Sequence, residues 1–350
     1  MKLKALLLGS AAAMMSVTGF SAANAADAVI AEPEPVEYVR VCDMYGAKWF
    51  YLPGTETCIQ FDGYVRVTYE YNDPDQPTVN PDGSSQSSSA NFGYRARLNV
   101  RTRNETDYGT LEGWIRFQGN SNSPSDATVG VDRALISLAG FRLGYSDSYV
   151  TTHHGYGLYS DRQDGIYDYH QATFFDYTYS SNGFSGTIGT QLSGGSLGLA
   201  HDARSLDYYI GVGYSGSWGG IALSAIHDNE RDAEAYKISV DLNLIENLSV
   251  RGWYHFDDGD SKYVTGSYGP FFAGSTLIDQ QWGIGMQYKF NDMFAFRAGY
   301  TAADSDVAGL DTDYVAVGLD IRPVPGLIIR PEAAFADEGE QYSVRVYRTF

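Results

Sequence analysis

Long apolar runs are missing from this chain of 350 residues once the N-terminus is passed. A spanning helix needs about 20 consecutive apolar residues, so a bundle of membrane helices is excluded. Basic residues are also scarce: 24 Lys and Arg stand against 43 Asp and Glu, a formal net charge of −19. Phosphate backbones attract clustered cations, so nucleic acid is not an expected partner. Only two cysteines occur, with no histidine near them, whereas structural zinc wants four ligands. What the chain does have is 39 Gly, 28 Tyr and 17 Phe, and a chain this aromatic is not expected to be disordered.

Lys2 and Lys4, the largely apolar stretch Ala5 to Phe20 and the small-x-small run Ala23-Asn24-Ala25 follow the order of a secretory signal peptide. Residues 1–25 are therefore read as a removed segment rather than an anchor helix, for which the run is too short and too rich in Ala. Export places Cys42 and Cys58 in an oxidising compartment, where a disulfide is the default state. A bond closing a loop of about 15 residues stabilises by ~3 kcal/mol in the chain-entropy treatment. Ahead of it, Glu32-Pro33-Glu34-Pro35-Val36-Glu37 reads as extended and exposed, because each Pro removes a donor and restricts its predecessor.

From Cys58 onward the dominant pattern has a period of two. Ile59, Phe61, Val65, Val67, Tyr69 and Tyr71 alternate with Gln60, Asp62, Tyr64, Arg66, Thr68 and Glu70, which is a two-faced strand. Similar alternation recurs along the chain, for example Trp282, Ile284, Met286, Tyr288 and Phe290 against Gln281, Gln287 and Lys289. Sixteen strands are expected, near 58–71, 90–103, 110–120, 128–138, 141–148, 173–179, 184–191, 207–215, 220–229, 235–244, 247–258, 279–290, 293–303, 314–323, 327–337 and 343–350.

The connectors alternate in length. Tight links such as Ala139-Gly140, Ser181-Asn182-Gly183, Glu246-Asn247 and Pro325-Gly326 follow even-numbered strands. Longer polar stretches follow odd ones, among them Asp73 to Ser89, Tyr149 to Ala172, Gly259 to Ile278 and Glu338 to Gln341. Short turns at one end and long loops at the other, with aromatics near strand ends, describe an all-β transmembrane antiparallel β-barrel. A soluble sandwich has the same alternation with its apolar face turned inward. The expected organisation is a signal peptide over 1–25, a periplasmic segment with a disulfide turn over 26–57, and a barrel over 58–350.

The runs Glu37-Tyr38-Val39-Arg40-Val41-Cys42-Asp43, Tyr51-Leu52-Pro53-Gly54-Thr55-Glu56-Thr57-Cys58 and Gly63-Tyr64-Val65-Arg66 resemble the N-terminal signature of the alphaproteobacterial outer-membrane porins. The length, the strand rhythm and the ending Tyr347-Arg348-Thr349-Phe350 are similar too, although Arg348 stands where many barrels have an aromatic. The resemblance implies a sixteen-stranded homotrimeric diffusion channel in outer-membrane lipid, with Phe350 as its C-terminal assembly signal. It also implies a third loop folded into a water-filled lumen. No cofactor is called for.

The third long connector carries Asp161, Arg162, Asp164 and Asp168 as constriction candidates. The polar faces of the early strands supply Arg66, Arg95, Arg97, Arg101, Arg116, Arg133 and Arg142 as a basic wall. Opposed charges of this kind would set a transverse field acting on ions and small hydrophilic solutes. The competing reading is that these arginines pair with carboxylates along a wide vestibule. Net acidity suggests a mild cation preference. A substrate-specific channel and a structural or adhesive barrel without conductance remain alternatives.

Enzyme strings are present but out of context. Gly211-Val212-Gly213-Tyr214-Ser215-Gly216 fits a dinucleotide fingerprint, which needs a following helix, and a strand follows instead. Gly194-Gly195-Ser196-Leu197-Gly198, with His201, fits a nucleophile-elbow string without the strand-to-helix turn it requires. His153, His154 and His170 read as solvated loop histidines, because adjacent residues of an extended chain point opposite ways.

Overall fold

The computed structural model describes residues 40–74, 78–79, 85–86, 88–121, 128–153, 158–159, 171–193, 206–258, 261–267, 275–277, 279–304, 312–336 and 339–350. The expected signal peptide lies outside the described residues. Sixteen long strands make one closed antiparallel sheet. They are β1 (Cys58–Pro74), β2 (Ser89–Thr106), β3 (Gly109–Ser121), β4 (Thr128–Leu138), β5 (Phe141–Asp147), β6 (Gln171–Ser181), β7 (Phe184–Ser193) and β8 (Asp207–Gly216). The second half holds β9 (Gly219–Asp228), β10 (Ala233–Ile245), β11 (Leu248–Asp258), β12 (Gln280–Lys289), β13 (Phe294–Asp304), β14 (Thr312–Val324), β15 (Leu327–Ala336) and β16 (Gly339–Thr349). Each pairs with the next, and β16 returns to β1 with Val67 opposite Val346. Every expected strand overlaps one of these.

The faces are arranged for hydrocarbon outside and water inside. Val129, Phe92 and Ile188 are 77%, 66% and 64% exposed on the outer surface, whereas Asp176, Gln191 and Asp320 are 1%, 1% and 0% exposed within. A soluble sandwich would show the reverse. Closure matters because an open ladder cannot be satisfied in lipid. The final residue completes it: Phe350 N–H donates to Gly63 O at 3.2 Å and Gly63 N–H to Phe350 O at 3.4 Å.

Short turns gather at one end. Ala139-Gly140 and Asn182-Gly183 both have positive φ at the two central positions, 52° and 89° in one and 51° and 83° in the other. That is the type I′ geometry whose twist matches the flanking strands. At the same end a disulfide joins Cys42 to Cys58 with a Cα separation of 6.0 Å. Trp49 is buried against it, and the Arg103 guanidinium lies 4.8 Å from the Trp49 ring centroid.

At the other end, β1 and β2 run to 17 and 18 residues, well past the roughly 10 needed to cross hydrocarbon. One expected loop is shorter than its sequence suggests. Glu338 to Gln341 reads as a polar connector, yet β16 already begins at Gly339. Gln341 is a buried wall residue donating to Glu70 Oε1 at 3.2 Å. Polar character marks loops in a protein with a dry core, but it marks the inner wall here.

Candidate functional site

The lumen has two unlike walls. On β1 to β4, alternation brings Arg66 opposite Arg95, Tyr64 opposite Arg97, Asn99 opposite Arg116 and Arg116 opposite Arg133. A register shift after Arg116 leaves Asp132 as an extra inward residue between Val131 and Arg133. Most of the resulting arginines are paired. Arg101 lies 3.5 Å from Asp62, Arg116 lies 3.3 Å from Asp132, and Arg133 lies 2.7 Å from the buried Asp147. Arg97 donates to Gln118 Oε1 at 2.8 Å and lies 3.9 Å from Asp132. On β5, Arg142 grips Asp176 through Nε at 2.9 Å and Nη2 at 2.5 Å.

Trp114 stands among these cations. Arg133 and Arg101 lie 4.0 and 4.2 Å from its ring centroid, and its indole N–H donates to Asn99 Oδ1 at 3.1 Å. The ring's negative faces offset the mutual repulsion of the guanidinium groups. Arg66 and Arg95 are different. They sit directly across the β1–β2 ladder from each other, and among the described residues no carboxylate forms a salt bridge with either. Like charges directly opposite destabilise a sheet, so this pair concentrates positive charge that no described carboxylate matches; Arg66 lies 6.0 Å from the Tyr347 ring centroid.

The opposite wall is lined by small residues, and the third loop lies on it. After β5 the chain turns into the short helix α1 (Tyr149–Thr152). Tyr149 stacks on Tyr209 of β8 with centroids 4.9 Å apart. Lys237 of β10, itself buried, donates from Nζ to the carbonyls of Val150 at 3.0 Å and Thr151 at 3.1 Å. Leu158 then packs with Trp253 of β11, Tyr314 and Ala316 of β14 and Ala334 of β15. The Tyr159 carbonyl accepts from Arg297 Nη1 of β13 at 2.6 Å. The described parts of the loop therefore touch six strands of the inner wall between β8 and β15.

Glycines on that wall make the space. A Cβ on Gly283 or Gly285 would meet Leu158 at 3.1 Å, and one on Gly211 would fall 2.2 Å from the Tyr149 hydroxyl. The Gly211-Val212-Gly213 string thus belongs to a seat for an aromatic ring, not to a nucleotide fold. Gly211→Val should unseat Tyr149, lowering stability by about 1 to 3 kcal/mol as overpacking does. The check is the temperature at which heated protein changes gel mobility, and an unchanged temperature would deny the seat.

Arg297 is held in turn by Asp320 of β14. That carboxylate, fully buried, lies 2.7 Å from Arg297 Nη2, 2.5 Å from Arg322 Nη2 and 2.6 Å from Arg330 Nε. These supports were not among the expected site residues. Their signal in the sequence is the run of Gly and Ala at inward positions, such as Gly283, Gly285, Ala316 and Ala334, where a water-facing wall would be polar. The constriction candidates Asp161, Arg162, Asp164 and Asp168 lie outside the described residues, as do His154, His170, Ser196 and His201. His153 stacks on Tyr149 with centroids 4.5 Å apart. Among the described residues, no cluster of His, Cys, Asp and Glu could hold a metal ion.

A closed sixteen-stranded barrel with an apolar exterior, a polar lumen and an inward loop is a transmembrane channel of the outer membrane. The chain belongs to the porins: the Porin subfamily profile matches residues 27–349. It is 33% identical to Porin Omp2b of Brucella canis over 98% of this chain and 94% of that porin, and equally so to Porin Omp2b of Brucella abortus. Among solved structures, the outer membrane channel DcaP of Acinetobacter baumannii aligns over 86% of this chain and 99% of its own, with a TM-score of 0.69 at 11% identity. OmpF of Salmonella typhi aligns over 84% and 98%, with a TM-score of 0.61 at 11% identity. At that identity the structural likeness speaks to fold alone. The protein is an outer-membrane porin forming a diffusion channel.

Proposed function

We propose that the channel works as a general, non-saturable path for small hydrophilic solutes and ions. Its narrowest passage would lie between the third-loop residues Asp161, Arg162, Asp164 and Asp168 and the basic wall of Arg66, Arg95, Arg97, Arg101, Arg116, Arg133 and Arg142. The observation that carries this reading is the division of the lumen: a loop anchored along β8 to β15 faces an arginine wall whose Arg66 and Arg95 lack carboxylate partners among the described residues. Carboxylates brought near that pair would complete a transverse field, which orders water and disfavours apolar solutes in a low-dielectric passage.

The partly neutralised arginines favour a focused field over a uniformly basic tube. Arg101, Arg116, Arg133 and Arg142 act mainly as supports for their own carboxylates. In this reading the short-turn end and the disulfide segment 26–57 face the periplasm, residues 1–25 having been removed, and the long loops face outward. The porin assembles as a homotrimer, with Phe350 serving assembly. Catalysis forms no part of the proposal.

Planar-bilayer recording of the purified protein tests it. A general pore gives stepwise ohmic conductance that falls with added sugars or organic anions only as bulk solution conductivity falls. Saturable block by one solute would replace it with a substrate-specific channel. Absence of steps would favour a structural barrel.

A further inference from the structure

We infer that Ser261–Val264, from the long connection between β11 and β12, is an internal latch that sets the bore of the channel, with Lys262 as its positioning residue. The inference rests on the chain's acting as an open channel. These four residues belong to a connection at the long-loop end, yet Ser261, Tyr263 and Val264 are 0% exposed and Lys262 is 6% exposed. That burial comes from the barrel wall, because Tyr263 and Val264 cluster with Tyr209, Ile226, Ala235 and Ala303.

Lys262 is the anchor. Its Nζ lies 2.9 Å from Asp207 at the start of β8, 3.0 Å from Asp228 at the end of β9 and 3.7 Å from Glu230. Its backbone N–H also donates to Asp228 Oδ2 at 2.9 Å, and Ser261 N–H donates to Asp257 Oδ2 at 2.6 Å. Burial would push the ammonium toward neutrality, but hydrogen bonds to Asp207 and Asp228 outweigh it and hold its pKa above the ordinary lysine value. Without the ammonium, Asp207 and Asp228 would lose the cation they share.

The latch is connected to the third loop. Tyr263 OH donates to Asp207 and accepts from Gln191 Nε2 at 3.0 Å. Gln191 Oε1 accepts from the Ser148 hydroxyl at 3.2 Å, and Ser148 immediately precedes α1. Tyr263 and Val264 share an apolar cluster with Tyr149, Val150, Tyr209, Ile226, Ala235 and Ala303. A segment distant in sequence thus covers the root of the third loop and fills lumen that water would otherwise occupy. The bore is then fixed by two loops together, and Lys262 acts through Tyr263 and the Ser148 root without lining the passage itself.

Single-channel recording of full-length K262M, K262R and Y263F is the test, paired with the size of polyethylene glycol that still enters the pore. K262M is expected to raise unitary conductance about 1.5-fold, admit larger polymer and add open-state flicker, as a widened constriction should. K262R, which can still reach the carboxylates, should stay near the parent protein. Y263F should add flicker with little change in mean conductance. Should K262M fail to fold, the D228N/K262M pair, which leaves fewer unmatched charges, carries the same expectation. Parent-like conductance, polymer cut-off and noise in folded K262M, or in the folded D228N/K262M pair, would overturn the latch while leaving the channel reading intact. Absence of conductance in the parent would overturn both.

Discussion

Replacing Arg66 and Arg95 together by glutamine is expected to move the channel about three- to fivefold toward cations in the ratio of potassium to chloride permeability. At ~5 Å in water each unit charge acts on a passing ion with ~0.8 kcal/mol, about a fourfold factor per charge before screening by salt. The two arginines face each other across the β1–β2 ladder, and no carboxylate among the described residues forms a salt bridge with either. The same substitution at Arg133, which lies 2.7 Å from Asp147, should shift selectivity less, since that charge is already matched. Reversal potentials in a tenfold salt gradient check this. Equal shifts for the two substitutions, or none for the first, would mean that Arg66 and Arg95 do not border the passage.

Asp320→Asn is expected to be the most damaging single change to stability. Its carboxylate serves Arg297, Arg322 and Arg330 at once. Removing one side of a buried ionic group costs about 3 to 5 kcal/mol, because the remaining charges are left uncompensated. Arg297 also holds the Tyr159 carbonyl, so the loss should reach the third loop as added current noise. Urea unfolding in detergent, followed by tryptophan fluorescence, measures the first effect. D320N/R330M should recover part of it by removing one stranded guanidinium. Failure of the pair to recover any stability would show that crowding of cations is not the cause.

The strand count and the turn rhythm were legible because both follow from local rules. Period-two alternation appears wherever one face meets lipid and the other meets water, and Ala139-Gly140 or Asn182-Gly183 announce hairpins through the φ they must adopt. The lumen was less legible. Arg95, Arg97, Asn99 and Arg101 at alternate positions of β2 mark an inward face, but say nothing of which carboxylate each arginine will find. Asp147 and Asp320 find their arginines only when neighbouring strands pair in register.

The seat of the third loop was hidden for the opposite reason. Gly283, Gly285 and Ala316 look like weak strand residues in isolation, and only the incoming Leu158 gives them a purpose. Likewise nothing in the sequence of the 259–278 connector marks Ser261–Val264 as buried, because burial there comes from tertiary ion pairs rather than from apolar periodicity.

The seam between β1 and β16 carries a consequence for biogenesis. Asn72 lies opposite Gln341, and Gly63 bonds Phe350, so the first strand waits for the sixteenth before its second neighbour exists. Until then two raw hydrogen-bonding margins stay open, which lipid does not tolerate and which invite pairing with other molecules. Closure of the barrel therefore comes only once β16 has formed and paired with β1. A chain truncated by one strand would end as an aggregate rather than as a leaky pore.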